Sequence, residues 1–328
     1  MAVFFGQSAP RGDCGGQVLE AHSGRVTNQV DVEESKEEGI PSLREDLVTL
    51  VKLRLNVFVL ITTFFGFLIA TLSGGDGWSL WRLVHTLVGT AAAAFGSAVF
   101  NQLMEIKEDA RMRRTADRPL PAKRILPIWA FLFGFLLCGF GISHLAAMVD
   151  REAAWLAAVT IAIYVFIYTP LKRRSSSNTL VGALPGALPP MIGWVGGGGG
   201  MEDPRGWFLF ALLFMWQLPH FVSINWLCRE EYEMAGFRMW SNGDESGRRS
   251  GFLAAAFSAV LGVLALVGPL SGCTGWAFGV VGLAAGFFLA WLAVRFARSG
   301  EKRAFRQFFL LTLLYLPVVY TVLAIDWH

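Results

Sequence analysis

The chain has 328 residues, of which 54% are hydrophobic and 16% charged, with a formal net charge of +3 and a mean hydropathy of +0.49. Soluble domains carry about a quarter charged residues, so a solvated globule is excluded, and so small a net charge gives no nucleic-acid surface. The four cysteines, Cys14, Cys138, Cys228 and Cys273, include no CxxC pair, which leaves neither a metal framework nor a disulfide signature.

Residues 1–45 are read as a disordered cytoplasmic tail. It is polar and contains the acidic run Asp31–Glu38, which argues against an Arg-rich, acid-poor transit peptide. No cleavable signal is recognised ahead of the first apolar run, and the expected location is a bacterial inner membrane.

Residues 46–328 read as one membrane domain. Apolar runs near 51–72, 83–103, 125–147, 153–170, 179–197, 206–227, 251–269, 274–294 and 305–325 are separated by short polar segments. Each is close to the about 20 residues that a spanning helix needs. Because they are continuously apolar rather than alternating, the fold class is all-α integral membrane, a bundle of nine transmembrane helices. Ser73-Gly74-Gly75-Asp76-Gly77 separates spans one and two with turn formers. With the N-terminus inside, only Arg82, Arg151 and Arg205 of the 28 Lys and Arg fall in outer segments, as the positive-inside rule requires.

The loop after span two runs Asn101-Gln-Leu-Met-Glu105-Ile-Lys-Glu-Asp109-Ala-Arg-Met112-Arg113-Arg114-Thr115-Ala-Asp-Arg118-Pro119-Leu120. Asn101, Glu105 and Asp109 recur every fourth residue, so a helix continuing from span two stacks them on one face. Three hard oxygen donors suit Mg²⁺ that shares its remaining positions with water and phosphate. Arg113, Arg114 and Arg118 follow with groups for phosphate oxygens. The plain alternative is a solvated, positive-inside connector. Against it stand the helical alignment and a polar run that begins directly after Ala98-Val99-Phe100, where ionisable groups are costly.

These residues, in the form NxxxExxxDxxMxRTxxRPL, resemble the first signature of the UbiA-type intramembrane prenyltransferases, in the version carried by members that prenylate haem. Other segments fit the same family. Lys52-Leu-Arg54 with Thr62-Thr63 and Gly66 resembles its KPRV…T…G opening, with Leu53 where proline is usual. Tyr168-Thr169-Pro170-Leu171-Lys172-Arg173, continuing to Asn178, Gly182, Gly186, Pro189-Pro190 and Ile192-Gly193-Trp194, resembles YTxxLKRxTxxN…GxxPGAxPPxIGW. Lys172 and Arg173 there are either phosphate ligands or positive-inside anchors. The Gly/Ala/Pro run reads first as close helix packing.

Trp216-Gln217-Leu218-Pro219-His220-Phe221 and Arg229-Glu230-Glu231-Tyr232-Glu233-Met234-Ala235-Gly236-Phe237-Arg238-Met239 resemble WQxPHF…REDYxxAGxPM. Glu231 stands where the family has Asp, so the second metal cluster is open among Glu230, Glu231 and Glu233. Arg238 stands where it has Pro. His220 has two readings: a hydrogen bond to a backbone carbonyl freed by Pro219, or a contact with haem iron or propionate. His85, His144 and the tryptophans Trp78, Trp81, Trp155, Trp207 and Trp276 are read as interfacial.

The resemblance implies the UbiA-type fold and transfer of a farnesyl group from farnesyl pyrophosphate to a vinyl group of haem B. It implies Mg²⁺ held by Asn101, Glu105 and Asp109, with a second ion at Glu230 and Glu231, and Arg114 and Lys172 as catalytic cations. Arg113, Arg118, Arg173, Tyr168 and His220 complete the substrate-binding set. Implied partners are the bilayer and downstream proteins such as haem A synthase or oxidase assembly factors. A quinone precursor is the rival acceptor. A transporter is the rival of another class, although transporters place their binding groups near the midplane.

Overall fold

The computed structural model describes residues 41–74 and 77–328. Most of the expected tail, and Gly75-Asp76 of the first turn, lie outside the described residues. Among the described residues, nine helices are long and apolar enough to cross a membrane: Leu53–Leu72, Leu80–Met104, Pro127–Met148, Arg151–Leu171, Asn178–Gly196, Pro204–Leu227, Arg248–Leu270, Trp276–Ser299 and Lys302–Ile325, hereafter spans one to nine. Each falls within a few residues of its expected place. The chain is a multi-pass membrane protein of the all-α class, with only an isolated bridge between Thr274 and Trp327 beside the helices described.

Side-chain contacts sort the loops onto two ends. At one end, Lys172 pairs with Glu105, Arg114 with Glu231 and Lys302 with Glu230, which joins loops two, four, six and eight. At the other end, Met201 N–H donates to Glu152 Oε2 at 2.9 Å, Trp327 Nε1 donates to Ser73 Oγ at 2.6 Å, and His85 Nδ1 lies 2.9 Å from His144 Nε2. The one-sided charge of the sequence is thus an arrangement in space.

Close packing lets the bundle wrap a cavity. Apolar burial drives no association between helices already in lipid, so small residues that let backbones meet take over. A Cβ on Gly193 would fall 1.9 Å from Thr63 O, and one on Gly66 would fall 1.9 Å from Pro190 O. Spans one and five therefore touch backbone to backbone. Span five is interrupted at Leu188, between helical pieces Asn178–Ala187 and Pro189–Gly196, because Pro189 has no N–H to continue the ladder.

A short helix, Leu43–Leu50, precedes span one and starts ahead of the boundary expected at residue 46. Ser42 caps it: the Glu45 N–H donates to Ser42 Oγ, and the Ser42 N–H donates to Glu45 Oε2. Its inner face buries Asp46, which accepts a two-pronged contact from Arg124 (Nε to Oδ2 2.9 Å, Nη2 to Oδ1 2.8 Å). Gln102 Nε2 donates to the carbonyls of Thr49 and Leu50, both at 2.8 Å. This helix is therefore fastened over the charged end.

The Gly193 contact predicts that Gly193→Ala loses about 1–3 kcal/mol to overpacking, read as a lower thermal midpoint in detergent. Gly139, where an added Cβ would meet nothing within 4 Å, accepts alanine without loss. Equal midpoints for both variants would contradict the span one–span five contact.

Candidate active site

The site begins where span two ends. The helix does not run on through Asp109 as the fourfold spacing suggests. It stops at Met104, Glu105 adopts φ −109° and ψ 14°, and one further turn, Ile106–Asp109, follows. The break changes which side chains face inward. Asn101 is fully buried: its Oδ1 accepts from Lys52 Nζ, and its Nδ2 donates to Thr169 Oγ1 at 3.0 Å. Glu105 and Asp109 line a cavity of about 1970 Å³, whose wall Asn101 does not join.

Three of the cavity's carboxylates, Glu105, Asp109 and Glu231, are each held by a cation from another turn or loop. Lys172 Nζ donates to Glu105 Oε1 at 2.7 Å. Arg118 Nη1 donates to Asp109 Oδ2 at 2.6 Å. Arg114 Nε donates to Glu231 Oε2 at 3.1 Å. The Thr115 hydroxyl fixes the turn by donating to Asp109 O at 2.8 Å. Buried charges of this kind are tolerated only when paired and hydrogen-bonded.

Lys52 is a cation of a different sort. It joins helix Leu43–Leu50 to span one with φ 49° and ψ 49°, a left-handed conformation that costs a non-glycine residue about 1 kcal/mol or more. Burial, then the nearby Arg118 guanidinium, push its ammonium down to about 7, against the pull of Glu105. For Lys172, burial alone would lower the pKa, but the Glu105 carboxylate leads the groups that raise it above its ordinary value.

Span four positions Lys172 through a widened turn. Thr169 precedes Pro170, whose ring and missing N–H disturb the regular ladder, and Ile163–Tyr168 forms a π-helical segment. Such turns recur at functional sites. This one brings Tyr164 and Tyr168 to the cavity wall, with Lys172 Nζ 4.6 Å above the Tyr168 ring. Across it lies a strap from loop six: Arg238 N–H donates to Lys172 O at 2.7 Å, and Asn178 Nδ2 donates to Arg238 O at 2.6 Å. Proline at position 238, having no N–H, could not make the first of these bonds.

The three acids after span six separate clearly. Glu231 lines the cavity against Arg114. Glu230 is 68% exposed beside Arg229 and Lys302, outside the cavity wall. Glu233 accepts from Gly243 N–H at 2.9 Å and closes its own loop. Among the basic residues of the expected set, Arg113, Arg114, Arg118 and Lys172 line the cavity. Arg173 turns away, donating to Met104 O at 2.8 Å and pairing with Glu108 at 3.3 Å.

Deeper in, the cavity is walled by Ala93, Ala94, Ala157, Ile161, Ile192 and Leu213, with Gln217 and His220 among its few polar groups. His220 does not bond a carbonyl freed by Pro219. Its Nδ1 lies 2.8 Å from Thr312 Oγ1 of span nine. Sequence reasoning missed Thr312, whose only signal is a hydroxyl in an apolar run. It also gave no role to Tyr164, and none to Lys52 beyond its family match.

The donor set fits Mg²⁺ in a specific way. Among the described residues no three His, Cys, Asp or Glu side chains form a ready-made metal cluster. Glu105, Asp109 and Glu231 nevertheless face one cavity, and Mg²⁺ commonly takes one or two carboxylates and completes its shell with water and substrate phosphates.

Known proteins resemble this chain along most of its length. The model of the UbiA prenyltransferase family matches residues 59–314. The protoheme IX farnesyltransferase of Opitutus terrae is 39% identical over 282 residues, covering 86% of this chain and 94% of its own. That of Solibacter usitatus is 36% identical, covering 86% and 98%. Among solved structures, a digeranylgeranylglyceryl phosphate synthase superposes with a TM-score of 0.71 at 12% identity, covering 86% of this chain and 98% of its own. A UbiA homolog from Archaeoglobus fulgidus bound to GPP and Mg²⁺ superposes at 0.61 with 17% identity, covering 85% and 99%.

The separation of the acids predicts that Glu231→Gln weakens binding of Mg²⁺-pyrophosphate about tenfold, equivalent to about 1.4 kcal/mol, in calorimetric titration. Glu230→Gln leaves it within about twofold. The opposite order would place the ligand at Glu230.

Proposed function

The chain belongs to the UbiA prenyltransferase family, and from that premise we infer that it transfers a farnesyl group from farnesyl pyrophosphate to a vinyl group of haem B, giving haem O. The observation that carries this reading is one cavity that joins the ion-paired carboxylates Glu105, Asp109 and Glu231 and their cations at its mouth to largely apolar walls below. Its mouth suits a metal diphosphate and its depth suits isoprenoid and porphyrin. The names borne by the relatives choose the acceptor: they are protoheme IX farnesyltransferases at 36–39% identity over most of their length.

The pairs at the mouth supply the logic of binding. Lys172, Arg114 and Arg118 rest on Glu105, Glu231 and Asp109. An arriving diphosphate offers these cations more charge than a carboxylate does, so they turn to its oxygens and their former partners are released. Mg²⁺, held by Glu105, Asp109 and Glu231, would supply Lewis-acid stabilisation of the leaving diphosphate. Asn101 keeps Lys52 beside the same oxygens rather than serving as a metal ligand.

Arg114, Arg118 and Lys172 then take up the charge that develops as the allylic C–O bond breaks. Interactions aimed at developing charge contribute about 3–4 kcal/mol each in a site with little water. The allylic cation is stabilised by the face of Tyr168, which already receives the Lys172 ammonium. The haem vinyl group attacks the farnesyl carbon, and water closes the resulting cation as a hydroxyl. The charged end faces the cytoplasm of a bacterial inner membrane, where farnesyl pyrophosphate is delivered. Haem O then passes to haem A synthase or an oxidase assembly protein.

The decisive assay gives purified protein haem B, farnesyl pyrophosphate and Mg²⁺ and reads extracted haem by mass. Wild type yields hydroxyethylfarnesyl haem, and chelation of the metal stops it. Asp109→Asn lowers turnover at least about hundredfold while the protein stays folded in the membrane. An inert haem alongside a prenylated aromatic acid or quinone precursor would overturn the acceptor.

A further inference from the structure

The deep polar group of the cavity has a hydrogen-bond order that fixes a protonation state. The Thr312 hydroxyl carries one proton and donates it to Phe309 O at 2.6 Å. It can therefore only accept from His220 Nδ1, 2.8 Å away, so that nitrogen bears the hydrogen. The ring has no other hydrogen-bond partner among the described residues, and its remaining nitrogen, Nε2, is left with a lone pair at the cavity wall. Trp216 and Phe309 both stack on the ring, with centroids at 5.1 and 5.0 Å and interplanar angles of 15° and 23°. Trp216 Nε1 also donates to Thr312 O at 2.7 Å, which secures span nine against span six.

One turn earlier, Gln217 is 4% exposed and lines the same cavity. Its side-chain Nε2 has no hydrogen-bond partner. A buried amide donor left unpaired costs about 1–3 kcal/mol. Gln217 and His220 lie three residues apart on one helical face of the cavity wall, near enough in helical spacing for a single water molecule to bridge the amide and the imidazole.

We infer that Gln217 and His220 hold the water that ends the reaction, with His220 Nε2 as its base and Thr312 as the residue that positions the ring and sets its tautomer. The inference rests on the reading that the chain farnesylates haem. The vinyl group forms its bond to farnesyl C1 as diphosphate leaves, and the cation falls on the neighbouring haem-side carbon. Water oxygen bonds to that carbon, and its proton passes to His220 Nε2. The imidazolium that results keeps Nδ1–H on Thr312. Coordination of haem iron by His220 suits the geometry less well. The residue is 2% exposed and its ring is stacked with two aromatic rings, whereas a ligand to the centre of a macrocycle has to project. Iron ligation also leaves the Gln217 donor unused.

The test reads product composition. If water is not activated, the cation loses a proton from an adjacent carbon to solvent, giving a farnesylated haem lighter by one water. Thr312→Val and Gln217→Leu are expected to shift the ratio of dehydrated to hydroxylated product at least about tenfold, well inside the about hundredfold that marks the low end of a general base's contribution. Thr312→Ser, which keeps the hydroxyl, restores the wild-type ratio. The ratio is independent of how much of each variant folds. An unchanged ratio with less total product would make these residues structural and overturn the inference. So would a haem B absorption shift that His220→Ala abolishes while the ratio holds. A wild-type protein that farnesylates no haem overturns the parent reading instead.

Discussion

Charge buried at the end of an apolar bundle has to be neutralised inside the protein, and this constraint organises the molecule. Glu105, Asp109 and Glu231 each rest on a basic side chain from another turn or loop, and Asp46 rests on Arg124. Removing one partner of such a pair leaves an uncompensated charge worth about 3–5 kcal/mol. Replacing both with apolar residues would be tolerated better. Pairs kept at this cost are better explained by what they bind than by the stability they add.

The local departures from regular helix serve the same end. The break at Glu105, the π-helical turn before Pro170 and the left-handed Lys52 lie beside the paired charges. Each re-aims a side chain that an unbroken helix would carry elsewhere. The glycine contacts between spans one and five hold two walls of the cavity rigidly enough to support these strained turns. Below the mouth the cavity wall mixes apolar side chains with scattered polar ones, Thr62, Thr90, Thr160, Gln217 and His220 among them.

Much of this was legible in the sequence. The spans followed from continuous apolar runs, and the two ends from the placement of Lys and Arg. The acidic and basic residues of loop two were legible as a constellation because helical spacing puts them together. What spacing could not carry was the break at Glu105, which takes Asp109 out of line with Asn101 and leaves Asn101 bonded to Lys52 and Thr169. Nor could it rank Glu230 against Glu231: successive residues point in different directions, and the helix end decides which one faces inward. Thr312 was invisible for another reason. Its role depends on a contact between residues 92 apart in the chain, and no local pattern marks such a partner. The expected boundary at residue 46 cut through the helix Leu43–Leu50, because its anchors, Arg124 and Gln102, lie far along the sequence.

On the proposed function, the cations at the mouth are exchangeable, held by carboxylates until a diphosphate arrives. A structure determined with Mg²⁺ and a non-hydrolysable farnesyl diphosphate analogue tests it directly. The account predicts Lys172, Arg114 and Arg118 on diphosphate oxygens, with Glu105, Asp109 and Glu231 turned to the metal. Diphosphate bound while Lys172–Glu105 stays at 2.7 Å and Arg118–Asp109 at 2.6 Å would contradict it.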